Sequence, residues 1–284
     1  MLNLFYLKKP LIKIYFSITS LIRAIQSYLS PLNQCKIQNF FCFLIFSSVR
    51  FSYHKELELY SVKEGKKVHY FSEATRGFDF YQRGLKKRSL DLFKSYGLNY
   101  IDFKFDDIVI DCGANYADLF IELTKYINKS NYIAFEPAPR EFQCIKRNTS
   151  DSLIFNKALS NVNNLQKFYL SSGTGDSSLV EPTNYSKITY VETTTLDEII
   201  KDYNLNKIKL LKLEAEGWEP EILEGTKQNL KIIEYVSVDG GPERGINEIE
   251  TLSECKKILF EYNFKIVHLN TKDFKALFRN ESKS

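Results

Sequence analysis

The sequence predicts an α/β fold: a mostly parallel, doubly wound sheet of seven strands ending in an antiparallel hairpin, preceded by a helical N-terminal extension. Three observations carry this. From about residue 100, short apolar runs alternate with helical stretches, a pattern that requires parallel strands and right-handed crossovers. The last two apolar runs, FKIVHL and DFKALF, are separated only by Asn270, Thr271 and Lys272, a connection short enough to force an antiparallel pair. The first fifty residues differ from the rest and carry apolar residues at helical spacing.

In that leading segment Leu11, Ile14, Tyr15, Ile18, Leu21, Ile22 and Ile25 recur on one helical side, opposite Lys13, Ser17, Thr19, Arg23 and Gln26. The run FFCFLIFSSV at 40–49 is about half of the roughly 20 residues that a membrane span requires. No small-residue cleavage site follows either run, which disfavours secretion. Two readings stand: the helices cover a face of the main domain or make a dimer contact, or residues 1–50 attach peripherally to a membrane interface. The expected organisation is a helical extension at 1–60, lead-in helices at 61–100 and one domain at 101–284, in a cytoplasmic protein.

The strands expected in order are 107–111 (DIVID), 131–135 (NYIAF), 153–156 (LIFN), 208–213 (IKLLKL) and 231–238 (KIIEYVSV), then the hairpin pair. Helices are expected at 117–127, 139–149, 195–203, 219–229 and 247–262. With 284 residues and 44% apolar content the chain can bury a full core. The 39 Lys and Arg against 35 Asp and Glu give a scattered +4, a weak argument for nucleic acid. Five cysteines without C-x-x-C spacing read as free thiols in a reducing compartment, not as a zinc site.

The first strand runs into D-C-G-A-N, a turn with one glycine at Gly113. A pyrophosphate needs several backbone N–H groups at close range and hence a glycine-rich loop. S-adenosylmethionine has no phosphate, so one glycine suffices for it. Asp111 and Asn115 are then placed to meet its ammonium, and Ala117 is tolerated at a negative φ. The plain alternative is a strand–turn–helix in which Asp111 is a cap. Glu136 ends the second strand, where an acidic side chain accepts hydrogen bonds from ribose hydroxyls, in NAD as in S-adenosylmethionine. Ala158, Leu159 and Ser160 fall near an adenine position, or simply in a loop.

The fourth strand stops at Glu214 and Glu216, two carboxylates aimed into a ligand crevice, where burial needs an offsetting partner. Glu219 and Glu221 read instead as helix-capping residues. After the fifth strand Asp239, Glu243 and Arg244 suit polyhydroxyl or anionic substrate recognition, or form an ordinary Gly-rich turn. A parallel sheet that closes with an antiparallel pair is the architecture of class I S-adenosylmethionine methyltransferases.

The ordered set VIDCGAN, AFEP, TTTLDEII, LLKLEAEGWEPEILEG and VDGGPERG resembles the FkbM family of S-adenosylmethionine-dependent methyltransferases over about residues 100–280. The resemblance implies a class I Rossmann-like fold, methyl transfer to oxygen and a sugar or glycan-linked acceptor, in surface polysaccharide or glycolipid biosynthesis. By position it gives Asp111, Gly113, Asn115 and Glu136 to the cofactor and Glu214 with Glu216 to the reaction site; Ala117 and Glu214 depart from the usual Gly and Asp. Glu216 or Glu214 is the expected general base, and His54, His69 and His268 are poorer choices. A divalent metal is open, since Glu214, Glu216 and Asp239 could converge, but no spacing requires one. Three alternatives remain: a nicotinamide-dependent sugar oxidoreductase, a noncatalytic membrane-attached scaffold of this fold, and a nucleic-acid methylase, for which no basic groove is evident.

Overall fold

The computed structural model describes residues 24, 28–171 and 176–283. It divides into two compact units, Met1–Leu85 and Lys86–Ser284. The amphipathic helix expected over 11–25 lies outside the described residues, Ala24 excepted. In the first unit, α1 (Pro31–Leu44) precedes β1 (Arg50–His54), β2 (Leu59–Glu64) and β3 (Lys67–Phe71), which form an antiparallel meander, and α2 (Ala74–Tyr81) follows. The helical expectation for 50–71 therefore gives way to strands. Glu64 pairs with Lys67 across a two-residue turn that Gly65 enters at φ +60, and Phe51, Tyr60, Val62 and Phe71 are buried. Phe41 and Phe78 pack edge to face at 5.4 Å, and Phe51 lies 5.8 Å from Phe78, so an aromatic cluster holds this small sheet.

The helix α3 (Leu85–Ser95) leads toward the main sheet of the second unit. That unit runs β4 (Val109–Cys112), α4 (Phe120–Leu123), β5 (Tyr132–Phe135), α5 (Pro139–Asn148) and β6 (Leu153–Phe155). It continues β7 (Ala158–Leu159), β8 (Leu165–Leu170), β9 (Lys187–Thr194), α6 (Leu196–Asp202), β10 (Ile208–Leu213) and α7 (Glu219–Glu224). The last elements are β11 (Ile233–Asp239), β12 (Pro242–Arg244), β13 (Ile249–Glu250), α8 (Leu252–Glu261), β14 (Phe264–Asn270) and β15 (Lys275–Asn280).

The seven-stranded sheet has the order β14-β15-β11-β10-β4-β5-β6, with β15 antiparallel to both its neighbours and the other pairs parallel. This is the mostly parallel, doubly wound α/β fold, and the closing hairpin is as expected. Strand order reverses between β4 and β10, which opens a crevice beyond their carboxyl ends. Register aligns Cys112 with Phe135 on one side and with Leu213 on the other, and Leu213 with Val238. The residues that follow these, Gly113, Glu136, Glu214 and Asp239, thus stand side by side along one edge.

Burial on both faces explains why the central strands read as continuous apolar runs. Ile110, Ile133, Leu211 and Val236 face one apolar cluster, and Val109, Ala134, Leu210 and Tyr235 face the other. Polar exceptions are buried among them: Asp111 in β4, Lys209 and Lys212 in β10, and Ser237 and Asp239 in β11. A small three-stranded sheet, β7-β9-β8, falls between β6 and α6, where the sequence shows only a loop. The helix expected at 117–127 shortens to α4, because Ala117 is left-handed at φ +60 and cannot join it. The five cysteines are buried and free of disulfides.

Gly113 is where the two halves of the sheet edge meet. Its φ is +69, and a Cβ there would lie 1.8 Å from the Glu214 carbonyl oxygen. Left-handed strain and backbone overlap together predict that Gly113→Ala loses about 2–4 kcal/mol of stability, measured by urea denaturation. A loss below about 0.5 kcal/mol would mean that the turn and β10 are not in this contact.

Candidate functional site

The turn after β4 is built from alternating left-handed residues: Gly113 at φ +69, Asn115 at +53 and Ala117 at +60. The negative φ expected at Ala117 is therefore corrected: its methyl is carried in a conformation that favours glycine, within a fully buried site. Such strain persists only where surrounding structure enforces it. Here the Gly113 and Ala114 N–H groups donate to the Phe135 carbonyl at 3.0 and 3.1 Å, and Asn148 Nδ2 donates to the Tyr116 carbonyl at 2.9 Å.

Glu136 clamps the same turn. Its Oε2 accepts the Asn115 N–H at 2.8 Å and its Oε1 the Ala138 N–H at 2.9 Å. Burial and then the Glu141 charge push its carboxyl up to about 7, against those two N–H groups. Each oxygen keeps a lone pair for a further donor such as a ribose hydroxyl. Asn115 Oδ1 is buried with no partner among the described residues, an acceptor suited to an ammonium. Gly113, Asn115 and Glu136 together fit S-adenosylmethionine. Asp111 is 1% exposed and committed: Tyr132 donates its hydroxyl to Oδ2 at 2.5 Å, and the Lys212 ammonium lies 3.0 Å from Oδ1. It holds the turn from below.

Lys212 joins the two sides of the crevice. Its ammonium donates to the Cys112 and Gly113 carbonyls at 3.1 and 2.9 Å, pairs with Asp111 and lies 2.9 Å from Glu214 Oε2. Burial opposes its charge, but Asp111 and Glu214 overcome that and hold it protonated far above the usual lysine range. A lysine in the middle of an all-buried strand must have such partners, so IKLLKL carried a signal that attention to the carboxylates beside it overlooked.

Five carboxyls crowd the ends of β10 and β11. Burial works to raise Glu214, yet Lys212 and Lys275 outweigh it and hold the group down to about 2. Glu216, left-handed at φ +51, is pushed well above the usual range by burial and by the charges of Glu243 and Glu214. Its Oε2 is buried without a partner among the described residues, while the side chain is hydrogen-bonded to Glu243. Burial and then Asp239 push Glu243 up to about 7; burial and then Glu214 push Asp239 up to about 6, against the Lys275 ammonium 2.5 Å from its Oδ2. Glu219, expected to cap the helix, instead ties the loop that leads into α7: Oε1 accepts the Ala215 and Gly217 N–H groups at 2.7 and 3.2 Å, and Oε2 the Thr251 hydroxyl at 2.6 Å.

Asp239 and Glu243 also line a cleft of about 540 Å³ with Arg88, Asp91, Lys272 and Lys275. Arg244, expected to meet substrate, is instead tied to the Glu221 carboxylate and donates to the Gly217 carbonyl at 2.9 Å, buttressing α7. Ser160, expected near an adenine, accepts the Trp218 indole N–H at 3.1 Å and is fully buried. His268 stacks on Tyr100 at 4.9 Å. Among the described residues no cluster of three His, Cys, Asp or Glu is arranged to hold a metal.

Two outcomes test this electrostatic scheme. Lys212→Met, which strands Asp111 and Glu214 without their shared cation, is expected to lose about 3–5 kcal/mol in chemical denaturation; a near-neutral result would show that the pair is not buried in solution. Glu243 and Asp239 have raised values, so their contribution is full below the usual 4.5 and 3.8 and is lost as pH rises through about 6 to 7. Glu214 acts oppositely, losing its contribution as pH falls below 4.5 toward 2. Urea midpoints should therefore fall between pH 4.5 and 7, with a shallower fall in Glu243→Gln; equal slopes would remove Glu243 from the cluster.

Residues 111–266 match the model of the Methyltransferase FkbM domain. The chain is similar to Methyltransferase sdnD of Sordaria araneosa, 26% identical over 209 residues that cover 58% of this chain and 79% of that protein. Among solved structures it is similar to TrmK of M. capricolum in complex with S-adenosyl-homocysteine, 13% identical with a TM-score of 0.37, covering 67% of this chain and 68% of that one. An rRNA methylase from Streptococcus thermophilus is 12% identical with a TM-score of 0.39, over 66% and 96% of the two chains. The domain match spans more than half of the sequence, and the chain belongs to the FkbM family of S-adenosylmethionine-dependent methyltransferases.

Proposed function

We propose that the protein is an O-methyltransferase whose acceptor is a small polyhydroxylated molecule, a sugar or a glycan-linked group of the kind used in surface polysaccharide or glycolipid assembly. The observation that carries this is the cleft of about 540 Å³ lined by Asp239, at the carboxyl end of β11 next to β10, and by Glu243 in β12. Two of its cations are engaged by acids: Lys275 with Asp239, and Arg88 with Asp118 at 3.0 Å. Asp91, Asp239, Glu243 and Asp273 add carboxylates, an arrangement that repels a phosphate backbone and offers acceptors to neutral hydroxyls.

When bound, S-adenosylmethionine supplies an electrophilic methyl carbon on a sulfonium. Asn115 Oδ1 would accept from its ammonium and Glu136 from its ribose hydroxyls over the open floor at Gly113, while Asp111 and Lys212 would hold the turn in place. Asp239 is the base that takes the acceptor hydroxyl proton: it lines the cleft, and a value of about 6 leaves it ionised yet basic near neutral pH. Glu243 accepts a neighbouring hydroxyl and orients the ring. This moves the base away from the two residues that the sequence favours. Glu214 is ion-paired with Lys212 and held down further by the Lys275 charge, and burial pushes Glu216 well above the usual carboxyl range.

Calorimetric titration with S-adenosylmethionine, NAD and NADP side by side tests the cofactor: saturable binding of the first alone is expected, lost in Glu136→Ala. With a methylated sugar as readout, Asp239→Asn is expected to lower kcat by about 10²–10⁴ with cofactor affinity within a few-fold, and wild-type kcat/KM to rise through about pH 6. Glu216→Gln should keep most turnover; the reverse ranking would return the base to Glu216. Methylation of RNA but not of sugars would overturn the acceptor assignment.

A further inference from the structure

The first unit carries an apolar face that its own fold does not use. On α1 the buried side chains are Cys35, Gln38, Phe41 and Cys42, while Leu32, Phe40, Phe43 and Leu44 lie on the other side and are 51–65% exposed. The spacing 32, 40, 43, 44 is one helical stripe. The helix then closes with a Schellman turn, in which Ser47 N–H donates to the Cys42 carbonyl at 2.8 Å and Phe46 N–H to that of Phe43 at 3.1 Å. The left-handed position of that turn, normally glycine, is Phe46, at φ +54 and 86% exposed. A bulky residue there costs about 1 kcal/mol, and it gains no burial within the unit. Four large apolar side chains within seven residues, with Phe46 held outward at a cost in strain, form a patch that water does not favour.

The charge of this stretch of sequence selects the occupant of the patch. Lys8, Lys9, Lys13, Arg23, Lys36, Arg50 and Lys55 are the seven charged side chains before Glu56, the first acidic residue of the chain. Lys36 and Arg50, both exposed, bracket the patch at either end of the segment. A second copy of this chain would bring like charges together, whereas an anionic lipid surface meets both features: the aromatics enter the acyl boundary, and each cation gains about 1 kcal/mol near the headgroups. No helix among the described residues is long and apolar enough to cross a membrane.

We propose that Phe40, Phe43, Leu44 and Phe46 form a docking face through which this chain sits on an anionic lipid bilayer.

The test is sedimentation of the full-length protein with vesicles of phosphatidylcholine alone and of phosphatidylcholine with phosphatidylglycerol. Binding is expected to the mixed vesicles, to weaken as salt is raised, and to fall by at least about tenfold in the double variant Phe43→Ser, Phe46→Ser, the equivalent of about 1.4 kcal/mol. Both positions are exposed, so circular dichroism should be unchanged. Wild-type protein that stays in the supernatant with every vesicle overturns the proposal, whether the patch is then covered by the chain itself or by a second copy. So does a double variant that binds as tightly as wild type. Binding to both vesicle types that is indifferent to salt overturns the electrostatic part and with it the anionic surface. None of these outcomes depends on cofactor or acceptor.

Discussion

The architecture of the site turns on one buried ammonium. Lys212 stands at the reversal of strand order, where β4 and β10 run into separate loops and the last backbone bond across them is the 3.3 Å one from the Glu214 N–H to the Cys112 carbonyl. It bridges the two strands with contacts to two carbonyls and two carboxylates, all contributed by the two strand ends. Taking an ammonium out of water is expensive, and only several partners at once offset it. The desolvation that makes Lys212 costly when alone makes its contacts strong when complete, so the turn and the end of β10 hold a single relative position.

Two further features follow from that lock. The turn can carry left-handed Asn115 and Ala117 because its ends are fixed from both sides, by Glu136 above and by Asp111 with Lys212 below. Gly113 is required less for flexibility than for space, since the Glu214 carbonyl occupies the volume a Cβ would need. A turn this constrained presents Asn115 Oδ1 without reorganisation, which is what a ligand-binding atom gains from strain elsewhere. Ala117 shows that a glycine can be replaced in such a loop when the rest of the loop supplies the constraint.

The sheet was legible because its strands are buried on both faces and its helices alternate with them, so apolar runs of the right length mark each one. Gly113, Glu136, Glu214 and Asp239 were legible for a related reason: each directly follows such a run. What escaped was non-local. Lys212 acts on a carbonyl 100 residues away, and Arg244 on Glu221, 23 residues away, so neither role leaves a trace in local pattern. The strands at 50–71 escaped because only parts of their alternation are apolar, and their burial depends on aromatics contributed by α1 and α2. Ala117 escaped because nothing in a sequence distinguishes a methyl at negative φ from one held left-handed by its surroundings.

The distribution of charge among the five carboxyls is the last consequence of the same cation. Glu214, 2.9 Å from Lys212 and within reach of the Lys275 charge, is held as an anion against its burial. Burial raises Asp239, Glu216 and Glu243, and the Glu214 charge adds to the rise in each case. A fixed anion therefore does indirectly what a general base cannot do alone, lifting a neighbour from the ordinary acid range toward the pH at which it can accept a proton. Asp239 and Glu243 are the two neighbours that are both raised and lining the cleft, and of these Glu243 is also hydrogen-bonded to Glu216. The division of labour needs no special residue types, only one lysine placed where two strand ends part.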